Sequence, residues 1–277
     1  FLTQPTISAH ISSLEKELNA RLFVRNTKEV RLSDDGKELY RYARQMIDLQ
    51  KKIEERFETG KEESKHLITI AASTIPAQYL LPKILMKFNE RYPKEQVKLI
   101  ETDSSQVVTQ IIDHMVDVGF TGTVLEKKHC KYIPFYKDEL VVITPNTEKY
   151  QVLHQNQEDV SWISGERLIM REEGSGTRKE AGKQLRNAGI NLDKLKIIAS
   201  IENQETIKKS VKQGMGISII SRLAAEEEAK SGDLLTFPIP KADQGRDINL
   251  VYNKNYQMSK SAERFVKVVK EVYGIEE

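Results

Sequence analysis

The chain has a single cysteine, Cys130, among 277 residues. One thiol forms no internal disulfide and no cysteine-rich zinc site, which excludes the stapled secreted scaffolds and fits a reducing compartment. No apolar run approaches the roughly 18–20 residues a bilayer-spanning helix needs, so the expected location is the cytoplasm, with no membrane partner. An excess of one charge is missing too. Lys and Arg number 43 against 41 Asp and Glu, leaving +2, so any role in binding nucleic acid has to rest on local pattern and not on bulk charge.

Signs of catalysis are equally sparse. His10, His66, His114, His129 and His154 show no metal-ligand spacing, and His129 beside Cys130 reads as a surface coincidence. The glycine-rich stretch "GSGTR" at 174–178 lacks both a following Gly-Lys-Ser/Thr step and the G-x-G-x-x-G spacing. Residue 173 is Glu, so Ser175 is not the serine of a G-x-S-x-G elbow. No acid–base pair and no nucleophile with its base can be assembled. The expectation is a protein that is not an enzyme and carries no metal or cofactor.

What is present is a globular composition, 39% apolar and 30% charged, over a length that implies two or three domains. The chain begins with Phe1 and not methionine, which reads as a fragment whose natural N-terminus is missing; a secretory signal would not be visible in it.

The first zone, 1–33, opens with "QPTISAHISSLEKEL" at 4–18. Ile7, Ile11, Leu14 and Leu18 make one apolar stripe at helical spacing, while Thr6, Ser8, His10, Ser12 and Ser13 leave the other faces short, polar and nearly uncharged. An ordinary solvated face would carry Lys and Glu, which arrive only from Glu15 onward. Thr3 or Gln4 caps this helix, and Pro5 is tolerated in its first turn. A basic segment follows, with Arg21, Arg25, Lys28 and Arg31 against the single acid Glu29, and then "SDDG", a turn and helix start.

The second zone, 34–66, contains a helix predicted over 34–62. Leu39, Tyr42, Met46, Leu49 and Ile53 recur at intervals of 3, 4, 3 and 4, the seam of a coiled coil. Such a seam packs either against a second copy of the chain, the preferred reading, or against the protein's own body. "KEESK" is an exposed joint.

From Leu67 short apolar strands alternate with amphipathic helices. "LITIAAS", "VKLIE" and "VDVGF" are separated by helices bearing Leu81, Ile84, Leu85 and Phe88, then Val107, Val108, Ile111, Ile112 and Met115. This βαβαβ series predicts a parallel sheet with right-handed crossovers. "ELVVITP", "RLIM", "KIIASI", "GISII", "LLTFPI" and "INLVY" continue the strands, with helices near 176–188, 203–213 and 222–230 and a last one through Phe265 and Val269. About 210 residues of α/β divide into two lobes with a ligand cleft at the carboxyl ends of the strands. The crossings fall near Tyr136–Glu139 and Phe237–Pro240, giving lobe I as 67–137 with 239–277 and lobe II as 138–238.

The segment "LTQPTISAHISSLEKELNARLFVRNTKEVRLSDDGKEL" resembles the second half of the winged helix-turn-helix of LysR-type transcriptional regulators: the Gln-Pro turn, Ile-Ser, Leu-Glu, Leu-Phe-x-Arg and Asp-Gly steps appear in order. The long helix and the two-lobed remainder follow that family's layout, so the resemblance covers the whole chain. It implies an α/β fold: a partial winged helix-turn-helix, a dimerisation helix and a two-lobed effector domain like periplasmic binding proteins. Through "ASTIPAQYLLP", "REEGSGTR" and "QGMGISIIS" the chain is similar to a branch associated with sulfur or selenium metabolism.

A helix in the major groove must bring its N-terminal side chains to base edges, and short hydroxyl and amide groups do so where long charged ones stand the helix off. Thr6, Ser8 and His10 fit, and Gln4 is placed for adenine or a phosphate. Arg25, Thr27, Lys28 and Arg31 read as a wing holding phosphates. Pairing of the long helix joins two such heads about a two-fold axis, so the expected partner is double-stranded DNA with an interrupted palindrome. A homodimer is the minimum; a tetramer is what the resemblance implies.

For the cleft, hydroxyl residues stand at strand ends where helices start: Ser73 and Thr74, Ser104 and Ser105, Thr121 with Gly122, Ser175 and Thr177. Any one of them alone reads first as a helix cap, and their convergence suits a small anionic effector. Arg178 either neutralises that anion or stands solvated, and Asn203 or Gln204 adds a weaker candidate. The resemblance implies that the positions of Ser73, Thr74, Gly122 and Ser175 line the effector pocket. The competing reading is the solute-binding protein of a transport system, which would have no use for a basic wing or a dimer seam. A nucleoid protein would bind DNA without needing a cleft.

Overall fold

The structure, a computed structural model, describes residues 3–25, 30–57, 67–156, 160–239 and 245–275. They belong to two compact units, 1–64 with 113–115, and 65–112 with 116–277. No helix among the described residues is long and apolar enough to cross a membrane.

The first unit opens with α1, Gln4–Leu18, with Pro5 in its first turn. Thr3 holds the N-cap position, but its hydroxyl bonds the Thr6 hydroxyl at 2.9 Å and not a backbone N–H. Asn19 ends the helix in the left-handed region at φ 48°, a conformation asparagine tolerates. Glu15 then fixes the exit, because its carboxylate accepts the N–H groups of Leu22 and Phe23 at 2.7 and 3.2 Å. An antiparallel hairpin follows, β1 (Phe23–Arg25) and β2 (Val30–Leu32).

Ser33 links hairpin to helix. Its N–H donates to the Leu22 carbonyl at 3.0 Å and its hydroxyl to that of Arg21, while accepting the Gly36 N–H at 2.9 Å. That bond caps α2, Asp34–Phe57. Gly36 has a steric reason: a Cβ there would lie 2.0 Å from the Leu22 carbonyl oxygen. Along α2, Tyr42, Met46, Leu49 and Ile53 are all exposed, Met46 to 72%. The turns expected at 58–62 lie outside the described residues.

The second unit holds β3 (Leu67–Ala72), a π-helical turn at Pro76–Leu80, α3 (Leu81–Arg91), β4 (Gln96–Glu101), α4 (Ser104–Ile112), β5 (Val118–Thr121) and β6 (Cys130–Asp138). After it come β7 (Leu140–Pro145), α5 (Glu148–Gln155), a 3₁₀ turn at Val160–Gly165, β8 (Arg167–Met170), α6 (Gly176–Asn187), β9 (Lys196–Ser200) and α7 (Gln204–Lys212). The chain ends through β10 (Ile217–Ser221), α8 (Arg222–Ser231), β11 (Leu234–Pro238), β12 (Arg246–Asn253) and α9 (Lys260–Tyr273).

These strands form two five-stranded sheets, ordered β4-β3-β5-β12-β6 and β11-β7-β10-β8-β9. The βαβαβ series is parallel as predicted, β3 pairing with both β4 and β5, but neither sheet is parallel throughout. β12 runs antiparallel to β5 and β6, and β7 antiparallel to β10 and β11. A buried apolar strand reads alike in either direction, so residue pattern does not reveal its sense. Met115, expected on the apolar face of α4, follows that helix's end and is exposed.

Among the described α-helices and strands of the second unit, α5 and β6 are additional to the expected set. α5 buries only Tyr150. β6 contains Pro134 and buries only Cys130, Phe135 and Asp138. It lies at the edge of its sheet, and its register against β12 shifts where Pro134 faces Asn249, one of the few places a strand accommodates proline. β6 also corrects the reading of Cys130, which is buried at the strand's start and packs with Ala71, Val107 and Val251.

One apolar cluster runs through both sheets. Ile70, Phe88, Phe120 and Phe265 on the side of the first share it with Val141, Ile143, Ile169, Ile207, Val211 and Ile220 on the side of the second. A second cluster, around Val142, Ile163, Leu168, Leu185 and Ile217, belongs to the second sheet alone.

Candidate functional site

Within the first unit, Gln4, Ser8 and His10 are exposed along α1 and Thr6 is partly so. No residue of α1 is buried, and its stripe residues Ile7, Leu14 and Leu18 are exposed as well. The first turn of α1 carries no acid. Arg31 is exposed on β2. Arg25 ends β1, whereas Thr27 and Lys28 lie outside the described residues.

Within the second unit, a cleft of ≈ 260 Å³ including its solvent mouth is lined by three segments and one strand start. Ser73, Thr74 and Ile75 follow β3; Thr102, Asp103 and Ser104 follow β4; Arg171, Glu172, Ser175, Gly176 and Thr177 follow β8; Arg246 begins β12. Carboxyl ends of parallel strands from both sheets thus converge, where open α/β sheets bind ligands.

Five of the expected hydroxyl residues meet here: Ser73, Thr74, Ser104, Ser175 and Thr177. Ser175 caps α6, accepting the Arg178 N–H at 3.4 Å. The Ser104 hydroxyl is buried and has no partner. A hydroxyl left so costs about 1–3 kcal/mol relative to a bonded one, a debt that a ligand oxygen would cancel.

The other expected residues stand aside. Ser105 is exposed, its N–H donating to Asp103 at 2.7 Å. The buried Thr121 hydroxyl donates to the Thr123 carbonyl at 2.9 Å. Gly122 acts by smallness: a Cβ there would sit 3.0 Å from Arg246 Nη1. Arg178 does not line the cleft; its Nη1 donates to the Arg171 carbonyl at 2.9 Å. Asn203 caps α7, its side chain accepting the Thr206 N–H at 2.9 Å.

Residue pattern alone missed the charges. Arg171 is only 5% exposed and grips Glu172 through Nε and Nη2, both at 2.8 Å, with Nη2 also 3.4 Å from the Thr74 hydroxyl. Arg246 is buried and holds the fully buried Asp138 at 2.9 Å through Nε and 2.7 Å through Nη2. Asp103 caps α4, accepting the N–H groups of Ser105 and Gln106 at 2.7 and 2.9 Å. The strand-end rule that found the hydroxyls reaches Arg171 as well, because it follows "RLIM" directly. Arg246 escapes that rule, since only an antiparallel β12 brings a strand's beginning to this edge.

The glycines of "GSGTR" also acquire a reason. A Cβ on Gly174 would lie 2.7 Å from the Asp103 carboxyl carbon, and one on Gly176 would lie 2.9 Å from the Ser104 hydroxyl. Both are points of close approach between the segment after β8 and the one after β4.

Cys130 takes no part. Burial pushes its thiol up to about 11, which at pH 8 leaves about one molecule in a thousand as the reactive thiolate. The folded chain should therefore resist iodoacetamide at pH 8, with alkylation at least ~100-fold slower than after unfolding in guanidinium. Rapid labelling of the native protein would contradict the burial. Among the described residues no cluster of His, Cys, Asp and Glu is arranged to hold a metal ion.

Against known families, the LysR substrate binding domain model matches residues 61–274 and that of the bacterial regulatory helix-turn-helix protein, lysR family, matches residues 1–37. Among curated relatives, the HTH-type transcriptional regulator MJ0300 of Methanocaldococcus jannaschii is 28% identical over 98% of this chain and 90% of its own. The HTH-type transcriptional regulator CysL of Bacillus subtilis is 25% identical over 98% and 89%. Among solved structures, full-length CbnR with its target DNA has a TM-score of 0.71 at 18% identity, covering 98% of this chain and 90% of that one. The regulatory domain of CcmR from Synechocystis PCC6803, in complex with 2-PG, scores 0.68 at 23% identity over 76% of this chain and 98% of that domain.

Proposed function

The chain belongs to the LysR family of bacterial regulatory helix-turn-helix proteins, and on that premise we propose that α1 reads DNA while the cleft after β3, β4 and β8 binds a small anionic effector. As a member of that family the protein is a DNA-binding transcriptional regulator with an effector-binding domain. The transport-receptor reading gives way to it, because a helix-turn-helix match over residues 1–37 has no counterpart in a solute receptor. The family is one of regulators and not of enzymes.

The observation that carries the DNA assignment is the exposure of Gln4, Ser8 and His10 along α1, with no long charged side chain among them; Gln4 and Ser8, one turn apart, share one side of the helix. Such a face approaches base edges closely. Arg25, Thr27, Lys28 and Arg31 are assigned to phosphates. The exposed α2 seam of Tyr42, Met46, Leu49 and Ile53 supports pairing with a second copy of the chain. Two reading heads on one axis would favour an interrupted palindrome, and a tetramer would pair two such dimers on neighbouring half-sites in the cytoplasm.

The Ser8→Leu variant tests this reading. It should lose about 1–3 kcal/mol of discrimination between promoter and random DNA, or about 5- to 150-fold in relative affinity, with oligomer mass unchanged. Gel retardation at fixed salt measures it; unchanged specificity would remove α1 from the groove.

For the effector, the unpartnered Ser104 hydroxyl joins Ser73, Thr74, Ser175 and Thr177 in offering short neutral donors around Arg171 and Arg246. The 2-PG held by the CcmR domain supports an anion of similar size. An oxyanion of sulfur stays among the candidates.

A further inference from the structure

Both arginines of the cleft already have a carboxylate partner, and the two partners differ. Asp138 is fully buried against Arg246, whereas Glu172 is 18% exposed while its Arg171 partner is 5% exposed. Glu172 thus sits on the solvent side of a buried guanidinium. Its two oxygens take Arg171 Nη2 and Nε at 2.8 Å each, the fork-to-fork arrangement that a carboxylate ligand would make with the same arginine.

We propose that Glu172 is a built-in stand-in for the effector: its carboxylate holds the Arg171 fork in the empty cleft, and an anionic effector takes over that fork as Glu172 turns out to solvent. This rests on the effector-cleft reading given above and adds how ligand and protein compete. The physical reason is the cost of a buried, unpaired guanidinium, which keeps Arg171 from releasing Glu172 until another anion arrives. The exchange is nearly balanced, because one charge-assisted pair replaces another and Glu172 regains hydration. Neutral molecules bring no charge to replace the carboxylate and cations are repelled by the fork, so the exchange selects small carboxylates and tetrahedral oxyanions.

Surrounding groups are placed to make the incoming anion the better partner. The Thr74 hydroxyl stands 3.4 Å from Arg171 Nη2, and the Ser104 hydroxyl on the same cleft wall lacks any partner. Glu172 leaves Ser104 unsatisfied; a larger oxyanion can use both. The release also has a route outward. The Glu172 backbone carbonyl accepts the Ser175 N–H at 3.1 Å, which makes Glu172 the first residue of the turn whose Gly174 and Gly176 press against Asp103 and Ser104.

The test is calorimetric titration of the full chain with sulfate and with succinate at constant ionic strength, comparing the wild type with Glu172→Gln and Glu172→Asp. Glu172→Gln should bind at least one of the two anions at least tenfold more tightly than the wild type. Glu172→Asp, too short to span the fork, should fall between them. Sulfate and succinate distinguish a tetrahedral from a carboxylate preference. Equal affinity in wild type and Glu172→Gln would overturn the proposal, as would no measurable binding by Glu172→Gln. Arg171→Met and Ser104→Val separate the two levels of the argument. If Glu172→Gln changes nothing but Arg171→Met abolishes binding, the exchange fails and the effector cleft stands. If anion binding survives both Arg171→Met and Ser104→Val, the site is elsewhere and both readings fail.

Discussion

Replacing Asp138 by asparagine should destabilise the unit formed by residues 65–112 and 116–277 by about 3–5 kcal/mol. Asp138 ends β6, Arg246 begins β12, and the two face each other in register. The carboxylate is fully buried and takes Nε and Nη2 of the equally sequestered guanidinium. Its other oxygen accepts the Ser221 hydroxyl from the end of β10, so one carboxylate ties together strands of both sheets. Asparagine preserves the shape but removes the negative charge, leaving Arg246 buried without compensation. Trp162 is the single tryptophan and lies in this unit, so its fluorescence in urea reports this unfolding by itself. A loss under 1 kcal/mol would mean that the pair is solvated. The double variant Asp138→Leu with Arg246→Met should recover most of the loss, since apolar replacement of both partners of a buried pair is often neutral or better.

The second large effect is expected from Gly36→Ala. Alanine ordinarily stabilises a helix relative to glycine by about 1 kcal/mol, so a sign reversal is itself diagnostic. The new Cβ would fall 2.0 Å from the Leu22 carbonyl oxygen, a backbone atom that cannot swing away. That carbonyl already receives the Ser33 N–H, and Ser33 caps α2 through the Gly36 N–H. Separating these segments should cost about 3 kcal/mol, the sum of overpacking and a weakened cap. DNA retardation should be lost while the Trp162 transition in the other unit stays where it is. Full DNA binding by the variant would show that the junction can relax around a methyl group.

What residue pattern reveals follows from what each element buries. β7 and β10 bury every residue and announce themselves as apolar runs. β6 does not, because an edge strand with one face in solvent and Pro134 in its middle reads as a loop. α5, with Tyr150 as its only buried residue, has no stripe to detect. In the cleft the hydroxyl residues were legible because strand ends and helix starts can be located along a sequence. Arg246 was not, since its place depends on the direction of β12. The Arg171–Glu172 grip joins adjacent residues, and adjacency in sequence says nothing about which neighbouring charges turn inward.

The apolar cluster common to both sheets limits how an effector can be felt. A wide jaw-like gape would wet part of the cluster that Ile143, Ile207 and Val211 share with Ile70 and Phe88. Exposing even ~200 Å² of it would cost about 5 kcal/mol, as much as the whole differential affinity needed to swing a two-state equilibrium from one extreme to the other. The economical response is shear: packed faces slipping by an ångström or so with the seam kept dry. On that footing a small metabolite would transmit its presence by a slip of packed faces and not by the opening of a hinge.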